Sequence, residues 1–130
     1  MKKDPIRSCS LEIGSRNLDP DNVSKLIGVE PDHRFSRGEL SCKGKKRIKG
    51  LWAVDSDRHV SSLDICDHLA YIVQFLELHK SKILDAKRNA CASVSIRVFW
   101  DFESTLSFSL DSKILGMHPE VIDGFDISIT

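Results

Sequence analysis

The residues best suited to chemistry are crowded between His33 and Gly50. Seven cations stand there (Arg34, Arg37, Lys43, Lys45, Lys46, Arg47 and Lys49) against one acid, Glu39, a net charge of about +6. Such a segment can meet phosphates or the carboxylates of an acidic protein. Phe35 and Trp52 flank it, and either ring could stack on a nucleobase. For Trp52 a place in the core is the better expectation, because it alternates with Val54 in a short apolar run. Cys42 lies among the cations, which favour the thiolate, so it is expected to be the most reactive thiol. The candidate binding residues of this segment are Arg34, Arg37, Glu39, Lys45, Lys46, Arg47 and Trp52.

A second charged region has the opposite sign. From Asp101 to Thr130 there are six acids and one base, Lys113. Asp123 and Asp126 are its candidate contacts, since an acidic face steers a basic partner toward itself. The split matters more than the total, because the whole chain carries 19 basic and 19 acidic residues and no net charge.

Other chemistry finds little support. The glycines are scattered and form no phosphate-binding loop. Asp64 and His68 are four residues apart and share a helix face, but His79 lies about 16 Å further along the axis, too far for one ion. A solvated polar face is the expectation for them. There is no C-x-x-C pair and no G-x-S-x-G elbow. Asp101 and Glu103 read as turn residues. No catalytic residue, metal ligand or cofactor is assigned, and the chain is read as non-enzymatic.

These residues must be positioned by a small set of elements. Ser8–Gly14 alternates with period two and reads as a strand that buries Cys9, Leu11 and Ile13. Asp19 and Pro20 are an N-cap and first-turn proline, and Gly28 a stop, for a helix carrying Val23, Leu26 and Ile27. Residues 32–49 are expected to be a long basic loop. Leu51–Val54 is a strand. A long helix follows from Ser61 or Ser62, with Ile65, Leu69, Ile72 and Leu76 on one stripe. A break is expected at Leu78–Ser81, then a short helix over Lys82–Lys87. Ala92–Phe102 and Leu106–Leu110 read as a hairpin, Asp111–Leu115 as one helical turn, and Gly124–Ile129 as a last strand with Phe125, Ile127 and Ile129 inward.

The strands have one polar face each, which fits an antiparallel or mixed sheet better than a doubly wound parallel one. The expected fold is α+β: about five strands with helices on one face, ferredoxin-like or a related sandwich. With 130 residues, one domain accounts for the chain, residues 1–7 being a disordered lead-in. No apolar run approaches the roughly 18 residues of a membrane span. Met1-Lys2-Lys3-Asp4-Pro5 has no apolar stretch behind it, so a cytoplasmic location with reduced cysteines is expected. Cys9, Cys66 and Cys91 are expected to be buried.

The order of these features resembles a bacterial family. Leu18-Asp19-Pro20 precedes a helix ending in Gly28-Val29-Glu30-Pro31. Arg37-Gly38-Glu39 and Gly50-Leu51-Trp52 then precede the long amphipathic helix. This resembles domain-of-unknown-function family 4279, over roughly Ser8 to Ile129. The resemblance implies a small cytoplasmic α+β protein. It also suggests a protein partner, most concretely a toxin to which the chain is the immunity protein, or antidote. The alternative is RNA or single-stranded nucleic acid bound through residues 34–49.

Overall fold

A computed structural model of the chain describes residues 7–62, 64–100 and 121–129. The first strand, β1 (Arg7–Ser15), buries Cys9, Leu11 and Ile13 on one face. Helix α1 (Pro20–Ile27) starts where Asp19 accepts a hydrogen bond from the Asp21 N–H at 3.1 Å. It stops at Gly28, whose φ of +81° is a left-handed conformation that costs glycine little. Then come β2 (His33–Phe35), β3 (Gly50–Asp55) and a single 3-10 turn over Ser56–Arg58. Helix α2 (Ile65–Ala90), β4 (Ser93–Trp100) and β5 (Gly124–Ile129) complete the described elements.

The strands form one sheet in the order β2-β3-β1-β4-β5. All neighbours run antiparallel except β4 and β5, which are parallel. Elements β1 to β4 with the two helices have the split-βαβ connectivity of a ferredoxin-like sandwich. The parallel β5 makes the sheet mixed, within the α+β class that the sequence predicts.

Period two divides the sheet into unlike faces. Leu11, Ile13, Trp52, Val54, Val94, Ile96 and Val98 turn to the helices and meet Ile72, Leu76 and Ile83 of α2 in one core. The other face carries Ser10 in register with Asp55 and Arg97, and Glu12 in register with Ala53 and Ser95. Among the described residues no helix packs on that face. The chain after β1 crosses tightly over the start of β3: a Cβ on Gly50 would stand 2.1 Å from the Leu18 carbonyl oxygen. That close approach fixes where Arg16 and Lys49 sit relative to one another.

Several expectations are corrected. Helix α2 is continuous over 26 residues, with no break at Leu78–Ser81. The buried stripe simply continues from Leu76 to Ile83 and Ala86, and the His79 ring fills the intervening turn against Phe75 at 4.6 Å. Residues 32–49 are not all loop, because β2 pairs with β3. Cys66 and Cys91 are exposed rather than buried, and Cys91 caps α2 in a left-handed conformation. Ile127 is on the core side of β5 but 42% exposed. The expected turn at Asp101–Thr105, the strand Leu106–Leu110 and the helical turn to Leu115 lie outside the described residues.

Candidate functional site

After β2 the basic segment folds back on itself as a small hairpin. The Gly38 N–H donates to the Arg47 carbonyl and the Arg47 N–H to the Glu39 carbonyl, both at 2.8 Å. The Ser41 N–H donates to the Lys45 carbonyl at 2.8 Å, and Leu40 and Lys46 form a bridge. Ser41 Oγ accepts from the Lys43 and Lys45 N–H groups, which tightens the turn. Gly44, at φ +75°, supplies the reversal that a side chain would resist. Leu40 and Ile48 are 69% and 81% exposed on this hairpin.

At the base of the hairpin lies a cleft of about 580 Å³, lined by Arg16, Arg37, Gly38, Lys46, Arg47, Ile48 and Lys49. Five of those residues are cations and none is an acid. Two of the guanidiniums are held by uncharged partners. Arg37 Nη1 donates to Asn17 Oδ1 at 3.0 Å, and Arg47 lies 4.1 Å over the centre of the Phe35 ring. Among the described residues neither has an ion-pair partner, so these contacts orient the guanidiniums without cancelling their charge.

On the far side of Arg47 a groove of about 600 Å³ runs over the face of the sheet turned away from the helices. Ser10 and Ala53 form its floor, Phe35 and Phe99 line it, and Glu12 and Asp55 face into it. Ser10 Oγ is buried there without a hydrogen-bond partner among the described residues. Two of its carboxylates have partners: Arg97 Nε stands 3.3 Å from Glu12, and His33 Nε2 3.3 Å from Asp55. Beside the groove, Asp32 accepts the Asp55 N–H at 2.7 Å and pairs with His59 at 3.1 Å. His59 stacks on Tyr71 at 5.1 Å. Burial, then the charge of Asp32, raises the Tyr71 pKa. Among the described residues no group of three or more His, Cys, Asp or Glu could hold a metal ion.

The candidate residues separate into used and unused. Arg34 is ion-paired with Asp21 of α1. Arg37, Lys46 and Arg47 come together in the cleft, while Glu39 lines a separate pocket with Asp21 and Arg34. Lys45 is exposed at the hairpin turn. Trp52, as a binding candidate, is corrected: it is fully buried, donates from Nε1 to Ser24 Oγ at 3.0 Å and packs on Phe75. Asp123 is built into the fold, accepting from Lys87 Nζ and the Val94 N–H, both at 2.8 Å. Burial pushes its carboxyl up, but those hydrogen bonds and the Lys87 charge outweigh burial and hold it below the ordinary value. Asp126 is exposed, in register with Arg97.

His68 also differs from its expectation. It is buried, and its Nδ1 meets Ser56 Oγ at 2.7 Å. Its Nε2 stands 2.6 Å from the Ser62 carbonyl, which can only accept. Nε2 therefore carries the proton and Nδ1 accepts from Ser56. Ser56 Oγ in turn accepts the Cys9 N–H at 2.8 Å. This serine–histidine pair is closed within the core and faces neither the cleft nor the groove.

Arg16, Lys49, Leu40, Ile48 and Ser10 were not among the candidates. Only Lys49 had a sequence signal, as a member of the basic run; Arg16 is distant in sequence and joins it through the β1–β3 pairing.

The sequence pattern of one known family covers residues 4–129. The chain belongs to the family described as Domain of unknown function (DUF4279). No curated protein and no solved structure matches it. Among the described residues no helix is long and apolar enough to cross a membrane.

Proposed function

We propose that this family member is a non-enzymatic protein-binding domain whose contact surface is the basic hairpin over residues 36–49. The observation that carries the reading is the pairing of two exposed aliphatic side chains, Leu40 and Ile48, with the lysines around them. Exposed aliphatics with charge of one sign suit a protein of acidic surface, where the apolar pair anchors and the cations steer. Nucleic acid is the weaker fit. Trp52 is buried and the Phe35 ring is covered by Arg47, so neither offers a free stacking platform. The acidic contact through Asp123 also loses ground, because that carboxylate is occupied by Lys87. In its most concrete form the partner is a toxin and the chain its antidote; that form rests on the family resemblance and on size.

The test is affinity capture from lysate of the native host, with the purified chain as bait at low and high salt. One stoichiometric protein is expected, lost with Leu40→Ser plus Ile48→Ser while the urea midpoint stays unchanged. Nucleic acid released by salt, with no protein, would transfer the reading to RNA or single strands. Capture that survives the double substitution would remove the hairpin from the contact.

A further inference from the structure

The cleft at the base of the hairpin has a chemistry of its own. Arg16, Arg37, Lys46, Arg47 and Lys49 meet there without an acid in the lining, and none has an ion pair among the described residues. The chain as a whole is neutral, so this is local segregation and not general basicity. Elsewhere in the same region cations are paired, as Arg34 is with Asp21. Like charges gathered in one cleft repel, and a bound anion relieves that repulsion.

The holding of the guanidiniums sharpens the point. Asn17 and Phe35 hold Arg37 and Arg47 through neutral contacts, which orient the guanidiniums without cancelling their charge. Lys49 Nζ is laid over the glycine of β1, within 3.7 Å of where a Gly14 Cβ would be. Five cations around about 580 Å³ call for a ligand with several charges in a small volume. A carboxylate side chain brings one charge, whereas a terminal phosphoryl group brings roughly −1.5 to −2 and each group linked to it adds further charge in the same small volume. Ile48 and the aliphatic stems of the lining leave room for an organic portion.

We propose that this cleft is a binding site for a small oligophosphate, a compound carrying two or more linked phosphoryl groups. Arg37 and Arg47 grip phosphoryl oxygens in their preset forks, and Arg16, Lys46 and Lys49 neutralise the remaining charge. The site lies on the same hairpin as the proposed protein contact, with Arg16 added from outside it, but does not depend on that partner.

The probe is inorganic tripolyphosphate, titrated calorimetrically into the full chain at about 0.15 M salt. One equivalent is expected to bind, at least about tenfold more tightly than orthophosphate. Arg16→Gln with Arg37→Gln should weaken binding about tenfold or more. Lys46→Gln, at an exposed position, should weaken it about threefold. Lys25→Gln with Lys82→Gln, outside the cleft, should leave it unchanged. Heat-free titration of tripolyphosphate, equal affinity in the arginine variant with its fold intact, or tighter binding of a hexaglutamate peptide would each overturn the assignment. Leu40→Ser, outside the cleft lining, separates the two proposals: it should weaken partner capture while tripolyphosphate still binds.

Discussion

Replacing Ser56 by Ala should be among the most damaging single changes that leave the core hydrocarbon untouched. Ser56 Oγ serves two buried groups at once, accepting the Cys9 N–H at 2.8 Å and donating to His68 Nδ1 at 2.7 Å. Ala at this position orphans both. A buried polar group without a partner costs about 1–3 kcal/mol. The two together should therefore cost about 2–6 kcal/mol. The space vacated by one hydroxyl is too small for a replacement water. That loss compares with about 5–15 kcal/mol of total stability for a domain, so the variant retains its fold with a much lower margin. Urea unfolding followed by tryptophan fluorescence reads the effect, since Trp52 is fully buried in the native chain. The midpoint should fall with the slope unchanged. Ser81→Ala on the exposed side of α2 is the control and should stay within about 0.5 kcal/mol of the parent. A loss below about 1 kcal/mol for Ser56→Ala would refute the view that this serine is what satisfies His68 and Cys9.

Two further outcomes follow from groups whose ionisation the fold alters. Asp123 has its pKa lowered from 3.8, so its stabilising effect is present above that value and is lost as pH falls through the folded-state pKa. Asp123→Asn should then be less stable than the parent near neutral pH, with the gap closing below about pH 4; a gap independent of pH would contradict the pairing with Lys87. Cys9 is pushed up to about 12 by burial, and further by Asp55 and Cys66, so it stays a thiol, while Cys42, Cys66 and Cys91 are exposed. A chromogenic disulfide reagent should titrate three thiols in the native chain and the fourth only on unfolding; four equivalent thiols would place Cys9 at the surface.

What was legible in the sequence follows the range of the forces involved. Helix α1 announced itself because its signals are local: Asp19, Pro20 and Gly28 act on neighbours within one turn. Strands β1 and β4 were equally plain, since alternation reports directly which face a sheet buries. Strand β2 gave no such signal. It has three residues, and what holds it is the ladder to β3 with Asp32 and Arg34 reaching Asp55 and Asp21. The continuity of α2 was hidden because His79 interrupts the hydrophobic stripe by type, though its ring packs as an aromatic against Phe75. His68 shows the converse. Its spacing from Ile65 and Ile72 puts it on the buried stripe, but its type reads as polar, and the distant Ser56 explains how it can be buried.

The candidate site divides along the same line. Counting charges found the basic segment, but a count cannot say which cations are already satisfied. Arg34 belongs to the same run as Arg37 and Arg47, yet it closes an ion pair that ties β2 to α1. Arg37 and Arg47 differ from it because their partners are an amide and a phenyl ring, which orient a guanidinium without cancelling its charge. Arg16, outside the run, enters through the register that sets Ser15 opposite Gly50. Recognition by such a surface depends on charge that is both fixed and unspent. That property arises from tertiary pairing, so it emerges only once each cation has been matched to its neighbour.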